Sequence, residues 1–271
     1  MMAINGLKRT LLHGMALALL AALFALAPAS AQDLLIRGGT LVTVTNGDLE
    51  NTDVLIRDGK IAEIGQNLEA PQGVRVIDAA GKFVVPGILD DHSHMGIDRG
   101  INEGSRSVVP EVSIADVIQH DDPAFFTALA GGVTTIHTMH GSANSIGGQN
   151  EVIKLKWGRP WEDLIIEDAP NTLKLALGEN VRRSSSSNPT RYPRSRSGVA
   201  EVMRESFSRA QNYMRAWERY EAEKAAWDQA NRRSRGREPL PPKRDLQLEV
   251  LAGVLEGTTI LRVHAYRADE M

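Results

Sequence analysis

The chain has 271 residues, a formal net charge of −3 and no cysteine. Its mild acidity argues against a nucleic-acid partner, and its ordinary balance of apolar and charged residues excludes disordered and collagen-like classes. Without cysteine there is no disulfide framework, so stability must come from a buried core or a metal; the length allows one large domain or two smaller ones.

The first segment reads as an address. Lys8 and Arg9 precede an apolar run from Leu17 to Leu26, and Ala29-Ser30-Ala31 supplies the small-x-small pattern that a signal peptidase accepts. Residues 1–31 are therefore expected to be a cleavable signal peptide, with cleavage after Ala31 and export to the periplasm or medium. The run is shorter than the roughly 20 residues of a spanning helix, so no stable membrane insertion is expected. Loss of Lys8 and Arg9, with no acid in the segment, takes the formal charge to −5.

Residues 32–82 carry short β-prone runs: Leu34 to Ile36, Leu41 to Val44, Asp53 to Ile56, Lys60 to Ile64 and Val74 to Ile77. Gly38-Gly39, Asn46-Gly47, Asp58-Gly59 and Pro71-Gln72-Gly73 punctuate them. This spacing predicts a small antiparallel sheet or sandwich, with Asp58-Gly59 as its strongest hairpin turn.

From Phe83 the texture changes to apolar runs alternating with helices. Phe83 to Asp90 begins it, a helix is predicted over 122–130, and a buried strand over 132–136. Fully apolar strands separated by helices predict a parallel sheet covered by helices. Residues 172–177 and 258–264 are further strand candidates. Between them lies an insertion, 181–245, whose Ser- and Arg-rich start reads as a solvated loop and whose continuation, 198–233, reads as a long charged helix. Met203, Phe207, Tyr213, Met214, Trp217, Tyr220 and Trp227 fall on one face of that helix, suited to core packing or a homo-oligomer contact. Glu201, Glu205, Glu218, Glu221 and Glu223 break any basic stripe. A shorter helix is predicted over 245–255.

The sharpest chemical feature is Pro86-Gly87-Ile88-Leu89-Asp90-Asp91-His92-Ser93-His94. On an extended strand His92 and His94 project to the same side while Ser93 faces away, which makes half of a divalent-metal site. A bare His-x-His is common on surfaces; here it ends an apolar strand, where β/α barrels place catalytic groups.

The run from Leu35-Ile36-Arg37-Gly38-Gly39-Thr40 through Asp58-Gly59-Lys60-Ile61 and Asp78-Ala79-Ala80-Gly81-Lys82 to this motif resembles the metal-dependent amidohydrolase superfamily. Ala130 to Thr135, Gly141 to Gln149, Gly178-Glu179-Asn180 and Val263 to Glu270 make it most similar to the imidazolonepropionase-related amidohydrolases. The resemblance implies an α/β fold: a TIM-like (β/α) barrel, only partly present in residues 83–271, with a small β-sandwich segment at 32–82. It implies a hydrolase of non-peptide C–N bonds that acts on a small-molecule substrate through one or two divalent ions, with zinc the expected metal.

Carried over by position, His92, His94 and His264 are the imidazole ligands. The anionic ligand is either Glu179, preferred because it is already an anion at a strand end, or Lys174 after carboxylation. His137 and His140 read as hydrogen-bonding residues. Asn144, Gln149 and Arg267 are candidate substrate contacts, set against a tight structural turn at 141–149 and an Arg267–Asp269 pair. The family's catalytic aspartate would lie beyond Met271, so the chain reads as an N-terminal fragment expected to be inactive alone. A dipeptidase or deaminase of the same barrel, or a non-catalytic exported binding protein, are the alternatives.

Overall fold

The computed structural model describes residues 33–186, 190–231 and 234–270. The expected signal peptide lies outside them. Two compact units divide at Pro86/Gly87.

The first unit contains one five-stranded sheet in the order β3-β2-β1-β4, with β5 also on β1. The strands are β1 (Leu34–Val42), β2 (Asp48–Arg57), β3 (Lys60–Gly65), β4 (Arg75–Asp78) and β5 (Phe83–Val84). The Asp58-Gly59 hairpin is present: both residues have positive φ, +51° and +72°, as the tight turn between right-twisted strands requires. The two short runs expected at 34–36 and 41–44 form one strand.

The purely antiparallel expectation is corrected. β4 and β5 both run parallel to β1, the first beside Leu34 to Arg37 and the second beside Thr40 and Leu41. After β3 the chain crosses to the other edge of β1, so Pro71-Gln72-Gly73 belongs to a crossover and not to a hairpin. Among the described residues of this unit there is one sheet, not two. Leu35, Val54, Leu55 and Ala79 are its buried apolar residues, Leu35 and Leu55 on one face and Val54 on the other, each large side chain contributing about 1.5–3 kcal/mol.

The second unit is a curled half-barrel sheet ordered β10-β9-β8-β7-β6. Its strands are β6 (Ile88–Ser93), β7 (Val133–Thr138), β8 (Ile146–Lys154), β9 (Asn171–Ala176) and β10 (Thr259–His264). Four helices accompany them: α1 (Pro123–Ala130), α2 (Glu179–Ser186), α3 (Arg196–Gln229) and α4 (Leu246–Leu255).

Helix α1 starts where the sequence indicates. The Asp122 carboxylate accepts from Ala124 N at 2.9 Å, and Pro123 occupies the first turn, where its missing N–H costs nothing. Phe125 then packs with Ile136, Ile153, Leu155 and Leu164. A second core joins Ile146, Leu173 and Leu175 to Ala210 of α3 and Leu251 of α4. Helix α4 is capped by Asp245, which accepts from Gln247 N and Leu248 N.

An all-parallel sheet is likewise corrected. β8 runs antiparallel to both β7 and β9, whereas β6–β7 and β9–β10 are parallel. The stretch 141–149, read as a loop, supplies the start of β8 from Ile146 onward. It follows that β6, β7, β9 and β10 all point one way. Their C-terminal ends, together with the segment leading into β8, share one edge of the sheet.

The start of the insertion is helical rather than a solvated loop: α2 begins at Glu179, and Arg191 is buried. The aromatic stripe of α3 is used within the chain. Met203 and Phe207 pack on the second core, Tyr213 donates to Glu249 of α4 at 3.1 Å, and Trp227 Nε1 donates to Gly236 O at 3.0 Å. Among the described residues no helix is long and apolar enough to cross a membrane.

Candidate metal centre

The alternation of β9 decides what the sheet presents on each side. Leu173 and Leu175 turn to the helices; Thr172 and Lys174 turn to the opposite, inner face, as residues of alternate parity must. That inner face is polar, and its groups connect.

Asp91 bridges Arg262, at 3.1 Å from Nη1, and His137, at 3.5 Å from Nδ1. His137 Nε2 lies 2.8 Å from Thr172 Oγ1, which also accepts from Asn150 Nδ2 at 2.9 Å. Asn150 Oδ1 in turn accepts from His140 N at 3.1 Å. Thr172 Oγ1 keeps a second lone pair and a proton beyond the bond from Asn150, so it can meet His137 Nε2 in either tautomer. Asp91, Asn150, Thr172 and Arg262 were not singled out by sequence. Each is an ordinary polar residue alone, and only the register of four strands makes them a layer.

Lys174 sits at the centre of this face, buried at 2% exposure. Its Nζ lies 3.2 Å from His92 Nε2 and 3.8 Å from the Met139 sulfur. Burial holds its ammonium below the ordinary lysine range. Burial also lowers His92 and His264, and in both the Lys174 charge is the next cause. The imidazoles and the lysine thus face one another, with desolvation opposing charge on every one.

His92 and His94 come together as the strand geometry predicts, with ring centroids 5.2 Å apart and planes at 80°. Ser93 between them is buried. His94 Nδ1 lies 2.8 Å from Met139 O, so that nitrogen donates and Nε2 is the ring atom turned from this bond. A carbonyl fixing the remote N–H is how proteins orient metal-binding imidazoles. His264 ends β10, and its Nε2 receives Asn180 Nδ2 at 3.1 Å.

Glu179 is placed differently. It lies in the first turn of α2, with Oε2 2.6 Å from Arg182 Nη2. Lys174 is in contact with an imidazole, that of His92. Among the described residues no three His, Cys, Asp or Glu side chains converge in a metal-holding group.

His140 is a structural histidine. Its Nε2 accepts from Glu103 N at 3.0 Å, and its Nδ1 faces Gly141 O at 2.9 Å, so the ring is held neutral. Burial is the main cause that lowers it. Gly147 and Gly148 allow this packing, since a Cβ at either would lie 2.8 Å or 3.1 Å from the ring.

The proposed substrate contacts have other occupations. Asn144 is buried, with Nδ2 given to Glu103 O and Arg106 O, both at 2.7 Å, so it fastens the 103–106 loop. Gln149 donates to Pro110 O at 3.2 Å. Arg267 is paired with Asp269 at 2.7 Å. Arg191, unremarked in the sequence, donates to Gly104 O at 3.1 Å and Ala143 O at 2.6 Å, bracing the same loop.

The half-barrel sheet thus carries imidazoles at its strand ends beside a buried lysine. No family model matches the chain. Relatives do: amidohydrolase tasK of Hapsidospora irregularis is 30% identical over 241 residues, covering 81% of this chain and 24% of that protein. A dihydroorotase of Citrifermentans bemidjiense is 45% identical over 80 residues, 28% of this chain and 19% of its own length. The crystal structure of an amidohydrolase from Thermotoga maritima MSB8 superposes with a TM-score of 0.74 at 34% identity, covering 88% of this chain and 59% of that one. The chain therefore spans less than two thirds of each. It belongs to the metal-dependent amidohydrolase superfamily.

Proposed function

We propose that this chain supplies the metal-binding part of an exported hydrolase acting on non-peptide C–N bonds of small molecules. The observation that carries the reading is the 3.2 Å approach of the buried Lys174 amine to His92 Nε2. An ammonium there faces imidazoles and a thioether, with no carboxylate at hydrogen-bonding distance. Its depressed basicity raises the fraction of free amine at neutral pH. That amine can add to carbon dioxide, forming an N–C bond and releasing one proton, which turns Lys174 into an anionic carbamate.

Imidazoles with an anionic carbamate are the donor types a divalent cation takes, and zinc is our choice. His92, His94 and His264 would hold it with the Lys174 carbamate. Such an ion supplies Lewis acidity, drawing charge from a scissile carbonyl and making water nucleophilic near neutral pH. The chain's own residues do the rest of the positioning. Met139 O fixes the His94 ring, and the Arg262–Asp91–His137–Thr172 chain braces the strands from which the ligands project. Glu179 is left to pair with Arg182. Export rests on the sequence pattern of residues 1–31.

Metal analysis of the purified chain, loaded with zinc in bicarbonate and then gel-filtered, tests the reading. About one to two ions per chain are expected, falling to near zero in His92→Ala. Full retention of zinc in His92→Ala would contradict it.

A further inference from the structure

A cavity of about 350 Å³ opens at the sheet edge where β9 and β10 end, between the Leu177-Gly178 corner and the first turns of α3. Its walls are apolar on one side, formed by Leu177, Val199, Ala200 and Met203, and charged on the other. The charged side is not internally balanced at every atom. Asp269 is paired twice, to Arg267 and Arg196, which holds its carboxyl down to about 2. Glu270 meets Arg196 through Oε1 at 3.0 Å, and its side chain is 6% exposed. Among the described residues, Glu270 Oε2 is buried with no hydrogen-bond partner.

A buried carboxylate oxygen left without a donor costs stability unless something else satisfies it. Gly178 leaves room for the Glu270 carboxylate, since a side chain there would collide first with Oε1. Arg204 also lines the cavity, 74% exposed and 3.4 Å from Glu201, a loose surface pair whose guanidinium can turn to a ligand. The lining therefore holds one carboxylate oxygen without a described donor, one loosely held cation and an apolar wall, its remaining charges paired with one another.

We propose that this cavity binds a free α-amino acid with an aliphatic side chain. Its ammonium would donate to Glu270 Oε2, its carboxylate would meet Arg204, and its side chain would lie against Val199, Ala200 and Met203. The cavity shares its edge of the sheet with His264, whose carbonyl accepts from Leu177 N at 2.8 Å. A bound amino acid would therefore lie beside the candidate metal centre, but its recognition uses none of the metal ligands.

Isothermal titration of the chain in EDTA with L-leucine, N-acetyl-L-leucine and L-leucinol is the test. Saturable one-to-one binding of leucine is expected, weakened at least about tenfold by acetylation of the amine or its replacement of carboxylate by alcohol, as loss of a charge-assisted hydrogen bond requires. Glu270→Gln and Arg204→Ala should each weaken leucine by a similar factor. Arg204 is exposed, so its substitution leaves the fold intact and decides the matter even where Glu270→Gln does not fold. No saturable heat at millimolar leucine, or affinity indifferent to acetylation and to Arg204→Ala, would overturn the proposal. Because EDTA is present throughout, failure of the metal reading leaves this result unaffected.

Discussion

Asp53 in the first unit and Lys174 in the second are both charged residues at 2% exposure, and they are treated oppositely. The Asp53 carboxylate accepts from Gly38 N at 2.7 Å and Leu68 N at 2.9 Å, so each oxygen has a backbone donor. Lys174 has an imidazole and a thioether. A buried charge whose hydrogen bonds are complete is part of the fold. One left among groups that cannot neutralise it is destabilising as it stands, and is better explained by a reaction or a ligand.

Substitution separates the two most sharply. Asp53→Ala strands two backbone N–H groups and should cost about 2–4 kcal/mol in urea unfolding; a loss below about 0.5 kcal/mol would show the bonds are not what keeps that carboxylate buried. Leu173→Ala, on the opposite side of the same strand as Lys174, should cost about 2–4 kcal/mol by opening a cavity under the helices. Lys174→Met, of similar length and without charge, should change stability by less than about 1 kcal/mol in metal-free buffer, or raise it. A loss as large as that of Leu173→Ala would make the lysine structural and erase the contrast.

The smallest effect is a pH dependence. His140 must be neutral to accept from Glu103 N, and its folded pKa lies below its unfolded value. The unfolded state therefore binds more protons between the two values. Stability is complete above the unfolded value near 6.5 and declines as pH falls toward the lowered folded one. The melting temperature of the metal-free chain should drop on acidification below about pH 6.5, and His140→Gln should flatten part of that slope. A slope unchanged in His140→Gln would assign it elsewhere, His137 being the other buried, lowered imidazole.

Much of the frame was legible because it rests on local signals. Asp58-Gly59 forces its hairpin, Asp122-Pro123 starts α1, and the His-x-His pair falls on one side of β6 by strand geometry alone. What escaped depends on pairing across distance. Gly147 and Gly148 look like loop residues until His140 is packed against them, and then they are the only residues that fit. Asp91, Asn150, Thr172 and Arg262 have no pattern in one dimension, because their contacts span four strands. Strand parity bears on the choice between Glu179 and Lys174: Leu173 and Leu175 under the helices put Lys174 on the inner face, while Glu179 opens the next helix.

The central claim is that Lys174, once carboxylated, is the anion of the metal centre. Carbon-13 NMR of the chain loaded with zinc in labelled bicarbonate, run beside Lys174→Met and Glu179→Gln with zinc content measured on each, tests it most directly. The account predicts a protein-bound carbamate signal and stoichiometric zinc in the parent and in Glu179→Gln, with both lost in Lys174→Met. Zinc retained in Lys174→Met and lost in Glu179→Gln, with no carbamate in any sample, would contradict it.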